Sequence, residues 1–346
     1  MANEIKVAMF GLGPLGVAIA KGLLDKKGMK IVGAVDIAMD LSGKDLGEVL
    51  NLGKTLGVRV TTDGEGVLSR TKPDIAIVAT RSSLEGIRNE LNLCAKAAVD
   101  VVSTCEELSY PYYRYPDLSK EIDKLAKKHG IAILGTGINP GYLMDALPIT
   151  LTGACLRVDR IKVTRMMDSS KRRIPFQKKI GTGLAPEEFT RMIRDKIITG
   201  HVGLAESIAM IAAALGWRLD LIKEFPPEPV ITQRQIVTPY TTVKPGCAAG
   251  LKSLAHGIKD ERPVIMLEFV AHAGVEEEYD AVSIEGLPNV NQKIIGGIHG
   301  DVGTVAVVLN MIPKVLNAEP GLYTMKDLPL PSVLSEDARV YLRHDS

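Results

Sequence analysis

A glycine-rich turn near the start of the chain limits its fold more than any other feature. Residues 5–10 read IKVAMF, a mostly apolar run, and lead directly into GLGPLG at positions 11–16. Apolar residues then recur at the spacing of one helix face. An apolar run, a glycine turn and a helical pattern in this order predict a strand, a tight turn and a helix.

The residues of this turn suit the binding of a dinucleotide. We expect Gly11 to allow the tight turn, Gly13 to let a pyrophosphate approach the backbone, and Gly16 to let the helix lie close to the strand. Pro14 suits the first turn of the helix, where a missing N–H costs nothing. The helix N-terminus offers free N–H groups and a partial positive charge to a diphosphate. We therefore predict a dinucleotide cofactor bound by Gly11, Gly13, Pro14, Leu15 and Gly16.

An acidic residue follows the glycine turn at the sequence separation that is typical of such a site. A second apolar run, residues 31–35, ends in Asp36, which follows Gly16 by twenty positions. A carboxylate there accepts hydrogen bonds from both adenine-ribose hydroxyls; an ordinary acid at a strand end is the alternative. Asp36 would repel a 2′-phosphate, whereas Lys44 and Arg81 lie on segments that could reach one. The predicted cofactor is NAD, with NADP tolerated.

Strand and helix patterns alternate over residues 1–142, which predicts a Rossmann-type parallel sheet. Strands are predicted at 72–80, 99–104 and 131–135, and helices at 40–56, 84–98 and 118–129. In a doubly wound sheet the carboxyl ends of the strands face the cofactor crevice. The residues expected there are Ala79, Thr80, Arg81, Thr104, Asn139 and Pro140.

The pattern changes after this first domain. Longer strand patterns at 160–165, 235–237 and 263–269, with a helix at 202–215, predict an α+β substrate and dimerisation domain over residues 143–300. An apolar helix at 303–316 opens the segment 301–346, which we expect to pack back on the first domain. The predicted class is α/β, with a Rossmann-type domain followed by an α+β domain.

Composition excludes several classes of function. The formal net charge is +1, so the chain has no electrostatic footprint for nucleic acid or an anionic membrane. The four cysteines form no CxxC pair, and we expect no metal site. No apolar run reaches the ~20 residues that span a bilayer, and no signal peptide is evident. We expect a cytoplasmic protein whose partners are small molecules.

Several stretches carry a resemblance to a known family. Besides the glycine turn, these are STCEELSYP at 103–111, NPG at 139–141, GHVGLAES at 200–207, GIHGDVGT at 297–304 and EPGLYTMKDLP at 319–329. They resemble, nearly end to end, the family of 2,4-diaminopentanoate dehydrogenase and native amine dehydrogenases, which is related to dihydrodipicolinate reductase. GIHGD and PGLYTM are the specific parts, because many unrelated dehydrogenases share the glycine turn.

The resemblance implies oxidative deamination of a primary amine at C4 of 2,4-diaminopentanoate. Nicotinamide would take the hydride, and the products would be 2-amino-4-oxopentanoate and ammonia. A carboxylate at a strand end can move protons if its site is apolar, and Glu106 and Glu107 are both placed for this. The family's catalytic glutamate maps onto this pair; we favour Glu106 and keep Glu107 open. Alternatively, both are solvated acids in the first turn of a helix. The family also implies a homodimer.

The substrate carboxylate requires a cation, and the densest basic cluster is Lys171, Arg172 and Arg173 with Lys178 and Lys179. Arginine grips a carboxylate with two parallel hydrogen bonds, so Arg173 is the first choice and Lys178 the second; solvated surface charges are the alternative.

Further substrate contacts are predicted at His201, His299 and Thr304. Histidine relays protons near neutral pH, and both histidines adjoin glycine. A capping or buried hydrogen-bonded histidine is the alternative at both positions.

Two other functions remain open at this stage. One is an amine dehydrogenase that acts on another diamino acid or on a simple amine. The other is a protein that senses NAD without catalysis, against which the paired glutamates at the crevice argue. An imine reductase of the dihydrodipicolinate type would need a lysine-rich recognition motif that the sequence lacks.

Overall fold

A computed structural model describes residues 4–172 and 174–342 of the chain. The chain divides into two compact units. Unit 1 comprises Met1–Tyr142 and His299–Ser346, and unit 2 comprises Leu143–Ile298. The carboxyl-terminal segment therefore belongs to the same unit as the glycine turn, and unit 2 is inserted between the two parts of unit 1.

Unit 1 is built on a parallel sheet of seven strands, in the order β16-β6-β5-β4-β1-β2-β3. The chain starts in the middle at β1, runs outward through β2 and β3, and then resumes at β4 on the other side of β1. This reversal creates the crevice at which doubly wound sheets bind ligands. The strands are β1 Ile5–Phe10, β2 Met29–Val35, β3 Val60–Thr61, β4 Ile75–Val78, β5 Asp100–Ser103, β6 Ala132–Gly135 and β16 Gly321–Tyr323.

Helices cover this sheet and bury its apolar faces. They are α1 Pro14–Leu24, α2 Leu46–Val49, α3 Gly64–Thr71, α4 Arg88–Lys96, α5 Pro116–His129 and α10 Gly300–Leu316. Both ends of α5 are set by local residues. Pro116 is its first residue, and Gly130 ends it in the left-handed conformation with φ 71°. These elements confirm the predicted Rossmann-type fold.

The helix predicted at residues 40–56 is wrong, because that segment contains only the four residues of α2. The Asp45 carboxylate instead accepts hydrogen bonds from the backbone N–H groups of Gly47, Leu56 and Gly57, each at 2.8 Å. These bonds hold the segment as a folded loop. An Asp side chain competes with helical hydrogen bonds in this way.

The strand β16 at the edge of the sheet was not predicted. It pairs with β6. The backbone N–H and carbonyl of Leu322 form hydrogen bonds with side chains instead of with a further strand. The Leu322 N–H donates to Asp123 at 3.1 Å, and its carbonyl accepts from the Tyr112 hydroxyl at 3.0 Å. Side chains that occupy edge groups prevent further strand pairing.

Unit 2 contains a mixed sheet in the order β15-β14-β7-β13-β12-β8, with β9 paired to β12, and a two-stranded sheet of β10 and β11. Within the described residues, β13 and β7 are the one parallel pair of the mixed sheet, and its other pairs are antiparallel. Its strands are β7 Arg157–Asp168, β8 Leu221–Glu224, β9 Glu228–Ile231, β12 Ala248–Lys259, β13 Arg262–His272, β14 Tyr279–Leu287 and β15 Val290–Ile295; the small sheet has β10 Ile236–Val237 and β11 Thr242–Val243.

One face of the mixed sheet is buried beneath a helix. The helices of this unit are α6 Ala146–Thr152, α7 Ile174–Lys179, α8 Pro186–Arg194 and α9 Leu204–Ala214. Of these, α9 lies on the sheet so closely that a Cβ on Gly257 would be 2.8 Å from Ile208. The sequence indicated only α9, so it underestimated the helical content of this unit. The α+β character of the second domain is nevertheless confirmed.

No helix in the described ranges, 4–172 and 174–342, has the length and apolar content that crossing a bilayer requires.

The role of β16 in unit 1 can be tested with Tyr112→Phe. The change removes the hydrogen bond to the Leu322 carbonyl, and we expect a loss of about 1 kcal/mol in the free energy of unfolding. The measurement is urea unfolding followed by circular dichroism. The matched control is Tyr113→Phe, since Tyr113 is 43% exposed. Equal effects of the two changes would contradict this account of the edge strand.

Candidate active site

The three glycines of the turn have different geometric reasons to be glycine. Gly11 has φ +92°, and a Cβ there would lie 2.5 Å from the Ala79 carbonyl oxygen. A Cβ on Gly16 would lie 2.0 Å from the Gly11 carbonyl oxygen. A Cβ on Gly13 would meet nothing within 4 Å. Gly11 and Gly16 therefore permit close packing, whereas Gly13 keeps open the space in front of α1.

The start of α1 borders this space, and the first N–H groups of a helix have no partner within the helix. Gly13 is its N-cap and makes no side-chain capping bond, and Pro14 occupies the first turn. Gly13 and Pro14 are exposed and Leu15 is half-buried. The first turn carries no acidic residue that would repel an anion. This arrangement fits a dinucleotide pyrophosphate by the helix-terminus mechanism.

Asp36 directly follows β2, and its carboxylate is hydrogen-bonded to the backbone of the glycine turn. Its Oδ2 accepts the Leu12 N–H at 2.6 Å, and its Oδ1 accepts the Ala38 N–H at 2.8 Å. The carboxylate therefore has a structural function of its own. Each carboxylate oxygen has two acceptor sites, so ribose hydroxyls can still bind to it.

The two cations considered for a 2′-phosphate lie on different sides of β1. Lys44 follows β2 and pairs with Glu48 at 3.8 Å, with both side chains exposed. Arg81 follows β4, which the sheet order places beyond β1 from Asp36. Lys44 is thus on the ribose side, and Arg81 is on the side of β4 and β5. Thr80, next to Arg81, donates to Glu90 at 3.1 Å.

The structure separates the two candidate glutamates. Both lie in a short 3-10 helix, Glu106–Leu108, that follows β5. Glu107 accepts the backbone N–H of Leu84 at 2.7 Å and so fixes the segment that leads into α4. Glu106 is half-buried, and no described residue donates a hydrogen bond to its carboxylate. Of the two carboxylates, that of Glu107 therefore has a structural role, whereas that of Glu106 has no such bond within the described residues.

The residue next to Glu106 is a buried cysteine. Burial raises the pKa of the adjacent Cys105 thiol to about 12, and the thiol lies 3.1 Å from the Ser82 carbonyl oxygen. Cys105 therefore stays protonated and is not a nucleophile. Thr104, between β5 and this turn, donates its N–H to the Val78 carbonyl at 3.0 Å and joins the ends of β4 and β5.

The loop after β6 contacts the start of α10. Asn139 and Pro140, joined by a cis peptide bond, follow β6. The hydroxyl of Thr304, in the first turns of α10, accepts the Ile138 N–H at 3.3 Å. His299 caps α10 with its Nδ1, which accepts the Val302 N–H at 3.5 Å. Unit 1 thus brings the loops after β4, β5 and β6 and the start of α10 to one edge of its sheet.

In unit 2, His201 is held flat on an aromatic ring. Its imidazole stacks on Phe269, with centroids 4.2 Å apart and an angle of 14° between the planes. Gly200 and Gly203 have positive φ values of 74° and 106°. Burial, together with the positive charges of Arg165 and Lys179, lowers the pKa of His201 to about 3. The ring is therefore neutral near pH 7, which weakens the expectation of a proton relay.

The basic residues at 171–179, predicted to bind the substrate carboxylate, lie in different environments. Arg173, the first choice for the substrate carboxylate, lies outside the described residues. Lys178 is exposed, and its Nζ lies 5.5 Å from the centre of the Tyr240 ring. Lys171 pairs with Glu278 at 2.5 Å. Arg172 is 9% exposed, and its guanidinium lies over Phe176.

A second buried arginine was missed from the sequence. Arg165 is 3% exposed and forms an ion pair with Asp280 at 3.3 Å. A signal for it exists: Ile161, Val163, Arg165 and Met167 alternate along β7, which places the arginine on the apolar, inward face. A charge in such a position is expensive to bury and is a candidate functional group.

Two family models and several known proteins match this chain over most of its length. Residues 142–344 match the family described as the 2,4-diaminopentanoate dehydrogenase C-terminal domain, and residues 5–111 match the dihydrodipicolinate reductase N-terminus. The chain is 35% identical to a 2,4-diaminopentanoate dehydrogenase of Acetoanaerobium sticklandii, over 97% of each chain. It is 24% identical to an amine dehydrogenase of Streptomyces virginiae, over 94% of this chain and 96% of that one.

A solved structure shares both units. The amine dehydrogenase of Mycobacterium smegmatis superposes with a TM-score of 0.82 at 28% identity, over 95% of this chain and 97% of that one. The fold described above is therefore the fold of an amine dehydrogenase.

The different environments of the two glutamates predict different effects on stability. Glu107→Ala leaves the buried Leu84 N–H without its acceptor, so we expect a loss of about 1–2 kcal/mol in the free energy of unfolding. Glu106→Ala should change it by less than about 0.5 kcal/mol. Urea unfolding of both variants against the unchanged protein measures this. A larger loss for Glu106→Ala would show that its carboxylate is structural.

Proposed function

The chain belongs to the 2,4-diaminopentanoate dehydrogenase family, and from this membership we propose that it converts 2,4-diaminopentanoate to 2-amino-4-oxopentanoate and ammonia with reduction of NAD. Family membership makes it an oxidoreductase that acts on a CH–NH2 group. The observation that carries the choice of substrate is the 35% identity, over 97% of each chain, to the A. sticklandii enzyme.

The proposed cofactor is NAD, with NADP accepted. Residues 11–16 and the first N–H groups of α1 would hold the pyrophosphate, and the Asp36 carboxylate would hold the adenine ribose. When bound, the nicotinamide accepts the hydride from C4 of the substrate. The negative charge of Asp36 opposes a 2′-phosphate, whereas Lys44 supplies a cation on the same side of β1. NAD is therefore preferred.

Glu106 is proposed as the group that moves protons. The amine must be neutral for its lone pair to form the C=N bond as hydride leaves C4, so a base has to take a proton from the bound ammonium. Once Glu106 has released that proton to solvent, water adds to C4 of the iminium and loses a proton to the Glu106 carboxylate. Glu106 returns this proton to the nitrogen of the carbinolamine, and ammonia leaves as the C4 hydroxyl gives its proton to the same carboxylate, which produces the ketone. A half-buried carboxylate without a hydrogen-bond donor among the described residues suits this role.

A second candidate is an amine dehydrogenase that does not require the carboxylate. The match to the M. smegmatis amine dehydrogenase, with a TM-score of 0.82, favours it. Butane-1,3-diamine is 2,4-diaminopentanoate without its carboxylate, and it separates the two candidates. Oxidation of the diamino acid alone supports the first, and equal oxidation of both compounds supports the second.

The role of Glu106 is tested by Glu106→Gln. We expect kcat to fall by a factor of about 100 or more, because general acid–base catalysis commonly contributes that much, while the affinity for NAD stays unchanged. The assay follows the absorbance of the reduced nicotinamide, and fluorescence titration with NADH measures cofactor binding. The control is Glu85→Gln, an exposed acid paired with Arg88 at 3.7 Å. Full activity of Glu106→Gln would exclude this residue as the base.

A further inference from the structure

The loop that follows β4 is hydrogen-bonded to the turn that follows β5. The Ser82 carbonyl accepts the Glu107 N–H at 3.2 Å and the Cys105 thiol at 3.1 Å. In the opposite direction, the Leu84 N–H donates to the Glu107 carboxylate at 2.7 Å. We call residues 79–84 the β4 loop. These hydrogen bonds connect the β4 loop to the neighbouring turn.

The Glu107 carboxylate makes the strongest of these contacts. Its bond is the shortest of the set, and a charged acceptor binds an N–H more strongly than a neutral carbonyl does. Leu84 is fully buried, so without this acceptor its N–H would be unpaired and shielded from water. The position of the β4 loop therefore depends mainly on one side chain, that of Glu107.

The β4 loop lies directly against the glycine turn. A Cβ on Gly11 would be 2.5 Å from the Ala79 carbonyl oxygen and 3.1 Å from the methyl carbon of Thr80. The two segments follow β1 and β4, the strands between which the chain order of the sheet reverses. A doubly wound sheet binds its ligand at this reversal. A shift of the β4 loop would therefore change the crevice in which residues 11–16 would hold the cofactor.

The turn that carries Glu106 is held by other contacts. The Ser109 N–H and hydroxyl donate to the Glu106 carbonyl at 3.2 and 2.7 Å. Leu108 is fully buried, and a Cβ on Gly135, at the end of β6, would lie 2.4 Å from its carbonyl oxygen. None of these contacts uses the Glu107 side chain. Removing the Glu107 carboxylate should therefore release the β4 loop and leave Glu106 in place.

We propose that Glu107 is a positioning residue for the dinucleotide cofactor, because its carboxylate fixes the β4 loop against the glycine turn before the cofactor binds. A loop that is already ordered does not reduce the affinity by the cost of ordering it. Glu107 thereby acts on cofactor binding through the β4 loop, whereas Glu106 acts on the substrate. The inference rests on the proposed function for the identity of the cofactor, but it does not depend on which amine is oxidised.

The test is Glu107→Ala, with the dissociation constant of NADH measured by fluorescence titration. We expect this constant to rise about tenfold or more, because the affinity then includes the cost of ordering the β4 loop. KM for NAD should rise similarly, while kcat falls less than about threefold, since Glu106 keeps its place. Glu107→Gln should restore NADH binding to within about threefold of the unchanged protein, because an amide oxygen still accepts the Leu84 N–H.

Tyr112→Phe is the matched control for a general loss of stability. It removes one hydrogen bond in the same unit, to Leu322 on β16, which β5 and β6 separate from β4. We expect its affinity for NADH to equal that of the unchanged protein. Circular dichroism at the temperature of the titration establishes that each variant is folded. The inference is overturned if folded Glu107→Ala binds NADH normally, if Glu107→Gln binds it as weakly as Glu107→Ala, or if Tyr112→Phe binds it equally weakly.

NADH binding requires no amine, which separates this inference from the proposed reaction. Weak binding by Glu107→Ala supports the inference even if the unchanged protein oxidises neither 2,4-diaminopentanoate nor butane-1,3-diamine. An unchanged protein that binds no NADH contradicts both proposals.

A second measurement uses the unchanged protein and covers the case in which Glu107→Ala does not fold. Hydrogen exchange of the Leu84 amide, followed by NMR, should already be slow without NADH, because this N–H is buried and bonded to Glu107. Rapid exchange of this amide in the cofactor-free protein would contradict a β4 loop that is ordered before binding.

Discussion

The close approach of α1 to the turn that precedes it is the constraint on which the candidate site of unit 1 depends. A Cβ on Gly16 would lie 2.0 Å from the Gly11 carbonyl oxygen, and a Cβ on Gly11 would lie 2.5 Å from the Ala79 carbonyl oxygen. This packing brings the ends of β1 and β4 and the start of α1 to one edge of the sheet. The polar groups that follow β5 and β6 lie along the same edge because all these strands are parallel.

Unit 2 depends on a different interaction, the buried pair of Arg165 and Asp280. Taking two charges out of water is costly unless their remaining hydrogen bonds are satisfied. Here the two side chains hold both the carbonyl and the N–H of Ile298, at 2.5 and 2.8 Å. The pair thus fixes the last residue of unit 2, and the chain enters α10 directly afterwards.

Much of the fold could be predicted from the sequence because its signals are local. The glycine turn, Asp36 at the end of β2 and the apolar runs of the central strands each specify their own conformation. The helix predicted at residues 40–56 is wrong because three backbone N–H groups donate to the Asp45 carboxylate and hold the segment as a loop. The Glu106 and Glu107 pair could not be resolved from sequence, since the Leu84 N–H that engages Glu107 is distant in the chain. The ion pair of Arg165 with Asp280 could not be predicted, because the two residues are distant in the chain and meet only where β7 pairs with β14.

Transfer of the C4 hydrogen from substrate to nicotinamide is the central claim, and an isotope label tests it directly. The purified protein would be given NAD and 2,4-diaminopentanoate carrying deuterium at C4, and the reduced cofactor would be examined by mass spectrometry and proton NMR. We predict that the reduced nicotinamide ring carries the deuterium and that the amino acid product is 2-amino-4-oxopentanoate. Formation of unlabelled NADH, or retention of the label at C4 of the product, would contradict the account.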